Sequence, residues 1–408
     1  MSNKFWLCLF LILLVIVIIR KNLSRYIEVY IFRKKEYDTY IDAFNKAKDF
    51  INDNINGILK NKKKIKLFKK PEISIIIPCY NCKKYVLSTI RSIQNQNFSS
   101  FELIVVNDFS TDNSNLFLEQ LQKEDKRIRI INNIKNMGTL YSRSIGALSS
   151  KGKYIYPIDS DDMFLDKDVF SIITNIADIE NLDITIFNSI ITDLKPNIYS
   201  TKIKKDPYEA NHNINQILIQ PELGYYTISP SHGTENINFN EELVHAKCIK
   251  TKIYQMALYK LGKERYSRFM TDAEDDLANN IIFNTAKKAK FVPKFGYIYV
   301  ERGNSNSKLP KNDTIFISRH LYILDALIDF TQELPKNKKI LVNYIIFLFR
   351  DDYLKEALNK NKYNYNLFIS CLERILNCKY ISDYNKYKIR KRGKSLSFIN
   401  SFLNKFIL

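Results

Sequence analysis

The chemistry-bearing residues that stand out are Asp159 to Asp162, which place three carboxylates within four positions. They directly follow an apolar, strand-like run at residues 154–158 (YIYPI). Carboxylates this close repel one another, so their ionised forms need a nearby cation. Mg²⁺ and Mn²⁺ prefer oxygen ligands, and Mg²⁺ binds through one or two carboxylates plus substrate phosphates. These acids, at a solvent-facing strand end, therefore predict a metal site that carries a diphosphate; a solvated acidic turn is the alternative.

The segments before this cluster predict the elements that position it. Residues 73–77 (ISIII) and 101–106 (FELIVV) are short apolar runs typical of strands buried on both faces of a sheet. Helical spacing follows each run, and further strands are expected at residues 128–131 and before the acidic cluster. Strands that alternate with helices indicate a doubly wound α/β sheet, which binds ligands at the carboxyl ends of its strands. No glycine-rich phosphate loop is present in the sequence.

Four motifs in order resemble those of the family 2 glycosyltransferases, which have the GT-A fold. They are residues 75–81 (IIIPCYN), 105–112 (VVNDFSTD), 136–138 (NMG) and 159–162 (DSDD). The resemblance extends over about residues 72 to 305. It implies a GT-A type mixed sheet and a nucleotide-diphospho-sugar donor.

The resemblance also implies roles for particular residues. Asp108 would hydrogen-bond the nucleotide base, while Asp161 and Asp162 would hold the ribose and a Mn²⁺ or Mg²⁺ ion. Asn107 stands where the family usually has an acid, and Phe109 stands where a glycine is common, so the base and the sugar stay open. The implied nucleotide-sugar-binding residues are Pro78, Tyr80, Asn81, Asp108, Arg143, Asp159 and Asp161.

Residues 268–277 (RFMTDAEDDL) are similar to the family's Glu-Asp pair at the start of a helix. In that alignment Asp275 is the general base, and Glu274 or Asp276 positions or flanks it, while Arg143 lies on a helix that faces the diphosphate. Displacement at an anomeric carbon needs a base for the acceptor hydroxyl, and a metal neutralises the departing diphosphate. Helix capping is the alternative, since acids at a helix N-terminus gain about 0.3–1 kcal/mol each.

Cysteine and histidine residues give weaker signals. Cys79 and Cys82 form a C-x-x-C pair, but no second pair stands at metal spacing, so neither a zinc site nor a redox pair is expected. His245 and Lys247 have two interpretations, as acceptor-side residues or as plain surface residues. Residues 297–304 contain no histidine, which leaves a third protein ligand for the metal in doubt.

Composition and charge set the domain organisation. The chain has 408 residues and a net charge of +20, spread along the sequence, which favours anionic membrane surfaces over nucleic acid as a partner. We expect a transmembrane anchor at residues 1–20 and a helical basic stem at 21–70. The GT-A domain is expected at 71–305 and a helical C-terminal region at 306–408.

The anchor prediction depends on residues 5–19, an apolar run without a charge. It is shorter than the ~20 residues that usually span a bilayer, but flanking basic side chains can extend it. A cleaved signal peptide is the alternative, although the small-residue cleavage pattern is missing. The excess of basic residues after position 19 predicts a cytosolic catalytic domain, with the lumenal orientation kept open.

Together these features predict a membrane-anchored, metal-dependent, inverting glycosyltransferase. It would transfer a sugar from a UDP-sugar to a hydroxyl of a glycan, lipid or protein acceptor. Two alternatives stay open. One is a nucleotidyltransferase of similar fold, and the other is a catalytically silent glycan-binding or scaffold relative.

Overall fold

The computed structural model describes residues 70–193, 203–204, 218–219, 245–271, 274–301, 313–331 and 362–377. The predicted anchor and almost all of the stem lie outside these residues. The strands are β1 Ile73–Cys79, β2 Phe101–Asn107, β3 Ile128–Asn132, β4 Tyr154–Pro157, β5 Met163–Phe164, β6 Ile184–Asp193, β7 Ile203–Lys204, β8 Leu218–Ile219, β9 Lys247–Lys250 and β10 Lys288–Glu301. The helices are α1 Val86–Gln94, α2 Ser114–Glu124, α3 Thr139–Leu148, α4 Val169–Ile179, α5 Thr251–Leu261, α6 Lys263–Tyr266, α7 Glu274–Thr285, α8 Asp313–Thr331 and α9 Lys362–Leu376.

The described strands form one mixed sheet in the order β3-β2-β1-β4-β9-β6-β10-β5, with β7 paired to β6 and β8 to β10. Strands β1 to β4 are parallel, as the alternation of apolar runs and helices predicts. Strand β9 is antiparallel to both β4 and β6. The doubly wound mixed sheet is therefore confirmed, and its architecture is consistent with the GT-A type.

This strand order gathers several chain segments at one edge of the sheet. The carboxyl ends of β1, β2, β3 and β4 lie there because these strands are parallel. The end of β10 lies there too, since β10 is parallel to β6, and β6 runs parallel to β4 across the antiparallel β9. The start of β9 meets the same edge because β9 runs in the opposite direction. We call this the carboxyl edge.

Apolar side chains alternate between two cores, one on each face of the sheet. On β1, Ile73, Ile75 and Ile77 pack with residues of α1, α2 and α4, whereas Ile76 packs with residues of α3, α5, α7, α8 and α9. Full burial of one such side chain contributes roughly 1.5–3 kcal/mol. The isoleucine-rich run at residues 73–77 follows from this arrangement, because both faces of the strand are buried.

The two C-terminal helices share a core with the helix that carries Asp275. An ion-pair cluster adds to this packing: Arg265 of α6 and Arg374 of α9 both bind Asp325 and Asp329 of α8. The Arg265–Asp325 and Arg374–Asp325 distances are 2.6 and 2.7 Å. The described parts of residues 306–408 are helical, as predicted, and the predicted domain boundaries stay predictions. None of the described helices is both long and apolar enough to cross a membrane.

Candidate active site

The acidic cluster after β4 lies at the carboxyl edge, but its members differ in environment. Asp159 and Asp161 are partly exposed, whereas Asp162 is buried. The Oδ2 atom of Asp162 accepts a hydrogen bond from the Tyr297 hydroxyl at 2.6 Å, and Oδ1 accepts one from the Val300 amide at 2.8 Å. Burial, and next the charge of Asp159, raises the pKa of Asp162 well above its usual range. The expectation that Asp162 faces solvent is therefore wrong: it joins β4 to β10.

The buried guanidinium of Arg143, on α3, lies among three carboxylates. Its Nη2 donates to Asp159 Oδ1 at 2.8 Å, its Nη1 donates to Asp275 Oδ1, and Nη1 lies 3.5 Å from Glu274 Oε1. Burial alone would lower the pKa of Arg143, but Asp275, Asp159 and Glu274 outweigh it and keep that pKa well above its ordinary value. The structure thus brings Asp159, Arg143, Glu274 and Asp275 together, over sequence distances that no local pattern covers.

Glu274 and Asp275 stand in the first turn of α7. The Glu274 side chain is 10% exposed and the Asp275 side chain 21%. Burial, with the charge of Asp275 as the next cause, raises the pKa of Glu274 to about 8. Glu274 is therefore mainly neutral near pH 7, while Asp275 keeps partial access to solvent and a direct contact with a cation. The partly exposed Asp275 can therefore act as the base, and the neutral Glu274 beside it can hold it in position.

Asp108 lies at the end of β2 and organises the loop before α3. Its Oδ1 accepts hydrogen bonds from the Met137 amide at 2.8 Å and from Asn133 Nδ2 at 2.7 Å, and its Oδ2 accepts one from the Gly138 amide at 2.8 Å. Asp108 is buried, with 4% of its surface exposed. These bonds explain why an acid is needed at this position in terms of loop structure. Its implied contact with the base stays a prediction.

The turn after β1 presents Tyr80 beside the turn after β2, which presents Phe109. Tyr80 and Phe109 are 51% and 53% exposed, so both aromatic rings are accessible from solvent. Phe109 has φ of +63°, a backbone conformation that bulky side chains rarely adopt and that is often found at binding sites. Asn81 joins the two turns, since its Oδ1 accepts from the Thr111 amide at 2.8 Å. The two rings are thus fixed at the edge where the nucleotide base is predicted, with Pro78, itself partly exposed, one strand position before the turn.

A disulfide joins Cys79 and Cys82 across the turn that carries Tyr80. The expectation of no redox pair stays a prediction, because the bond shows that the two thiols are joined and not that they exchange. Both cysteines are almost fully buried. The C-x-x-C spacing alone could not reveal this bond, because it also fits unpaired cysteines in a tight turn. Its effect is to fix the backbone around Tyr80 and Asn81.

His245, just before β9, lies at the carboxyl edge and is buried, as is Lys247. The surface interpretation of these two residues is therefore wrong. The His245 ring stacks on Tyr297 and Tyr299, with centroids 4.4 and 5.3 Å apart. Burial is the main cause that lowers the pKa of His245 to about 3, so the ring is neutral. Its Nε2 atom is buried and has no hydrogen-bond partner among the described residues.

The acids of the carboxyl edge differ in how accessible they are to the predicted divalent cation. Asp161 and Asp159 offer partly exposed carboxylates, although Asp159 also binds Arg143. Asp161 is partly exposed whereas Asp162 is buried, so Asp161 is the more accessible of the two predicted ligands. Within the described part of the chain, no three His, Cys, Asp or Glu side chains are grouped closely enough to hold a metal by themselves. A cation here would need oxygen atoms from the donor, as Mg²⁺ sites commonly do.

A mixed α/β sheet with an acidic strand end, facing a helix that begins with a carboxylate pair, places a ligand-binding edge next to a candidate general base. Residues 74–235 match the family model described as "Glycosyl transferase family 2". The resemblance noted in the four sequence motifs is thereby confirmed.

Several curated relatives are named as glycosyltransferases. "Uncharacterized glycosyltransferase EpsJ" of Bacillus subtilis is 27% identical over 241 residues, which is 59% of this chain and 64% of that protein. An "Uncharacterized glycosyltransferase" of Haemophilus influenzae is 32% identical over 198 residues, or 48% of this chain and 60% of that protein. "Chondroitin synthase" of Pasteurella multocida is 28% identical over 74% of this chain and 32% of its own length. The matches thus span less than two thirds of these relatives.

Solved structures of S. aureus TarS share the fold. The structure of TarS 1–349 in complex with UDP has a TM-score of 0.55 and 16% identity, and the match covers 81% of this chain and 87% of that chain. The complex with UDP-GlcNAc has a TM-score of 0.52 at 17% identity, with 77% and 82% covered. At this level of identity the likeness supports the architecture of the sheet and its helices.

Proposed function

We propose that this protein transfers a sugar from a UDP-sugar to an acceptor hydroxyl, with inversion at the anomeric carbon and with the help of Mn²⁺ or Mg²⁺. The observation that carries the proposal is the contact of Arg143 with both Asp159, at the donor edge, and Asp275, at the start of α7. It brings a candidate general base next to the strand end where the donor is predicted. The family match and the glycosyltransferase relatives support the reaction class.

In the proposed reaction Asp275 accepts the proton of the acceptor hydroxyl. The hydroxyl oxygen then attacks the anomeric carbon, and the bond from that carbon to the donor phosphate oxygen breaks, which releases UDP. One displacement of this kind inverts the configuration. A bound cation would neutralise the diphosphate, and Asp161, with Asp159, would hold that cation. A positioned base typically contributes 10²–10⁴-fold to the rate.

The choice of a uridine nucleotide is supported by the TarS complexes, which contain UDP and UDP-GlcNAc. Tyr80 and Phe109 suit this donor because exposed aromatic rings can stack on a base. Asp108 is the candidate for contact with the uracil N–H, through the one lone pair that its three loop contacts leave on Oδ2. Asn81, which fixes the turn, would act on the donor through the position of Tyr80.

The membrane anchor at residues 1–20 and a glycan, lipid or protein acceptor are parts of the same proposal. The cytosolic orientation was predicted from charge, whereas the disulfide between Cys79 and Cys82 favours an oxidising compartment. We therefore favour the non-cytosolic side for the catalytic domain. The mixed charge of the carboxyl edge, with several carboxylates around one arginine, offers nothing that favours nucleic acid.

A screen of nucleotide sugars with the purified full-length protein tests the proposal. We expect release of UDP from one UDP-sugar with Mn²⁺ or Mg²⁺, loss of release in EDTA, and its return when the metal is restored. Release of pyrophosphate from a sugar phosphate and a nucleoside triphosphate would instead identify a nucleotidyltransferase. Binding of UDP without turnover of any donor would identify a catalytically silent relative. Full activity in the chelator would refute the metal dependence alone.

A further inference from the structure

The environment of Arg143 is that of an interior side chain. The residue is 3% exposed, both of its terminal nitrogens contact carboxylates, and its Nε atom is buried without a hydrogen-bond partner among the described residues. A side chain that binds a diphosphate needs N–H groups that point into an open site. Here the two terminal nitrogens contact Asp159, Glu274 and Asp275 instead.

The charges around Arg143 require a cation at this place. Asp159 and Asp275 are bound by different terminal nitrogens of one guanidinium, Asp159 by Nη2 and Asp275 by Nη1. Without Arg143 these two carboxylates would face each other across a largely buried space, where unpaired charge is costly. A neighbouring cation also favours the ionised form of a carboxylate, which is the form that a general base needs.

The backbone around Arg143 fixes the same two parts of the molecule. At the start of α3, the Thr139 amide donates to the Met270 carbonyl at 2.8 Å, so α3 holds the segment that leads into α7. One turn later Arg143 reaches Asp275 at the start of α7 and Asp159 after β4. Helix α3 therefore links the carboxyl edge to Asp275 through one backbone contact and the side chain of Arg143.

We propose that Arg143 is a positioning residue that holds the general base Asp275 at a fixed distance from Asp159, and that it does not bind the donor diphosphate. This inference rests on the proposed function, because it assigns a role within that reaction. It differs from the diphosphate contact that the sequence motif implies for Arg143. The two roles predict opposite changes in donor affinity and turnover.

The test compares the unmodified full-length protein with Arg143→Lys and Arg143→Met. UDP affinity is measured by calorimetry, and kcat and KM for the acceptor are measured at saturating donor. A positioning role predicts UDP affinity within about twofold of the unmodified protein. It predicts a kcat about 10²-fold lower in Arg143→Met, since misplacement of a reacting group by 1 Å can cost that much. Arg143→Lys keeps the charge but has one terminal nitrogen in place of two, so its kcat should lie between those of Arg143→Met and the unmodified protein.

A tenfold or greater loss of UDP affinity in Arg143→Lys, with kcat at saturating donor unchanged, overturns the inference. Arg143→Lys decides the question if Arg143→Met fails to fold, because a lysine still compensates the buried carboxylates. An unmodified protein that turns over no donor would refute the proposed function itself, and the positioning role with it. If the unmodified protein turns over a donor but Arg143→Lys shows this loss of UDP affinity with unchanged kcat, only the positioning role is refuted.

Discussion

The substitution Gly138→Ala tests how closely the loop before α3 must approach the segment before α7. Gly138 has φ of +87° and ψ of 167°, a conformation that is nearly restricted to glycine. A Cβ atom added there would lie 2.6 Å from the Met270 carbonyl oxygen and 2.8 Å from the Met270 amide nitrogen. Both are backbone atoms, and the Thr139 amide is already bound to that oxygen. No side-chain rotation can therefore relieve the contact.

Gly262 provides a matched control. It has the same φ of +87° with ψ of 147°, but nothing lies within 4 Å of the Cβ that alanine would add. Gly262→Ala should therefore lose only the backbone term, about 1–3 kcal/mol in the free energy of unfolding. Gly138→Ala should lose the same term and, in addition, about 1–3 kcal/mol from the forced shift of packed atoms.

Urea unfolding followed by circular dichroism measures the two losses of stability, and transfer assays measure the consequence for the reaction. Because Gly138→Ala displaces Met270, we expect the position of Asp275 to change and kcat to fall about 10²-fold. Gly262→Ala should keep the kcat of the unmodified protein. Equal losses of stability and equal rates in the two variants would refute the argument that this close approach positions the base.

Three further predictions concern the base, its neighbour and the anchor. Asp275→Asn should lower turnover at saturating donor by about 10²–10⁴-fold with little change in UDP affinity. Asp276→Asn should lower turnover least among substitutions of the acids at 274–276. Unchanged transfer by Asp275→Asn would mean that another residue is the base. Because the pKa of Glu274 rises from 4.5 to about 8 on folding, the free energy of unfolding should fall as pH rises between these values. Urea titrations at pH 5 and pH 8 measure this fall, and Glu274→Gln should remove it. A fall that persists in Glu274→Gln would belong to another group. Full-length protein should resist carbonate extraction from membranes whereas a version that starts at Asn22 should not, and a mature N-terminus beyond residue 19 would contradict the anchor.

Local patterns were sufficient for the elements whose environment is uniform. Four of the five residues at 73–77 are isoleucine because both faces of β1 are buried, so sequence alone predicts a central parallel strand. The start of α7 was equally accessible, since three acids at positions 274–276 match the first turn of a helix. The antiparallel β9 and the long β10 were not predicted, because their pairing joins segments far apart in the chain.

The sequence by itself determined the family, the parallel half of the sheet and the clustering of Tyr80, Asp108 and the acids of residues 159–162 at one edge. These follow from runs of neighbouring residues, whose chemistry is visible without contacts. Only the tertiary structure decided that Asp162 is buried against β10 and that Asp108 holds the loop before α3. It also decided that Arg143 faces carboxylates, because its partner Asp275 is 132 positions away and no local pattern records such a contact.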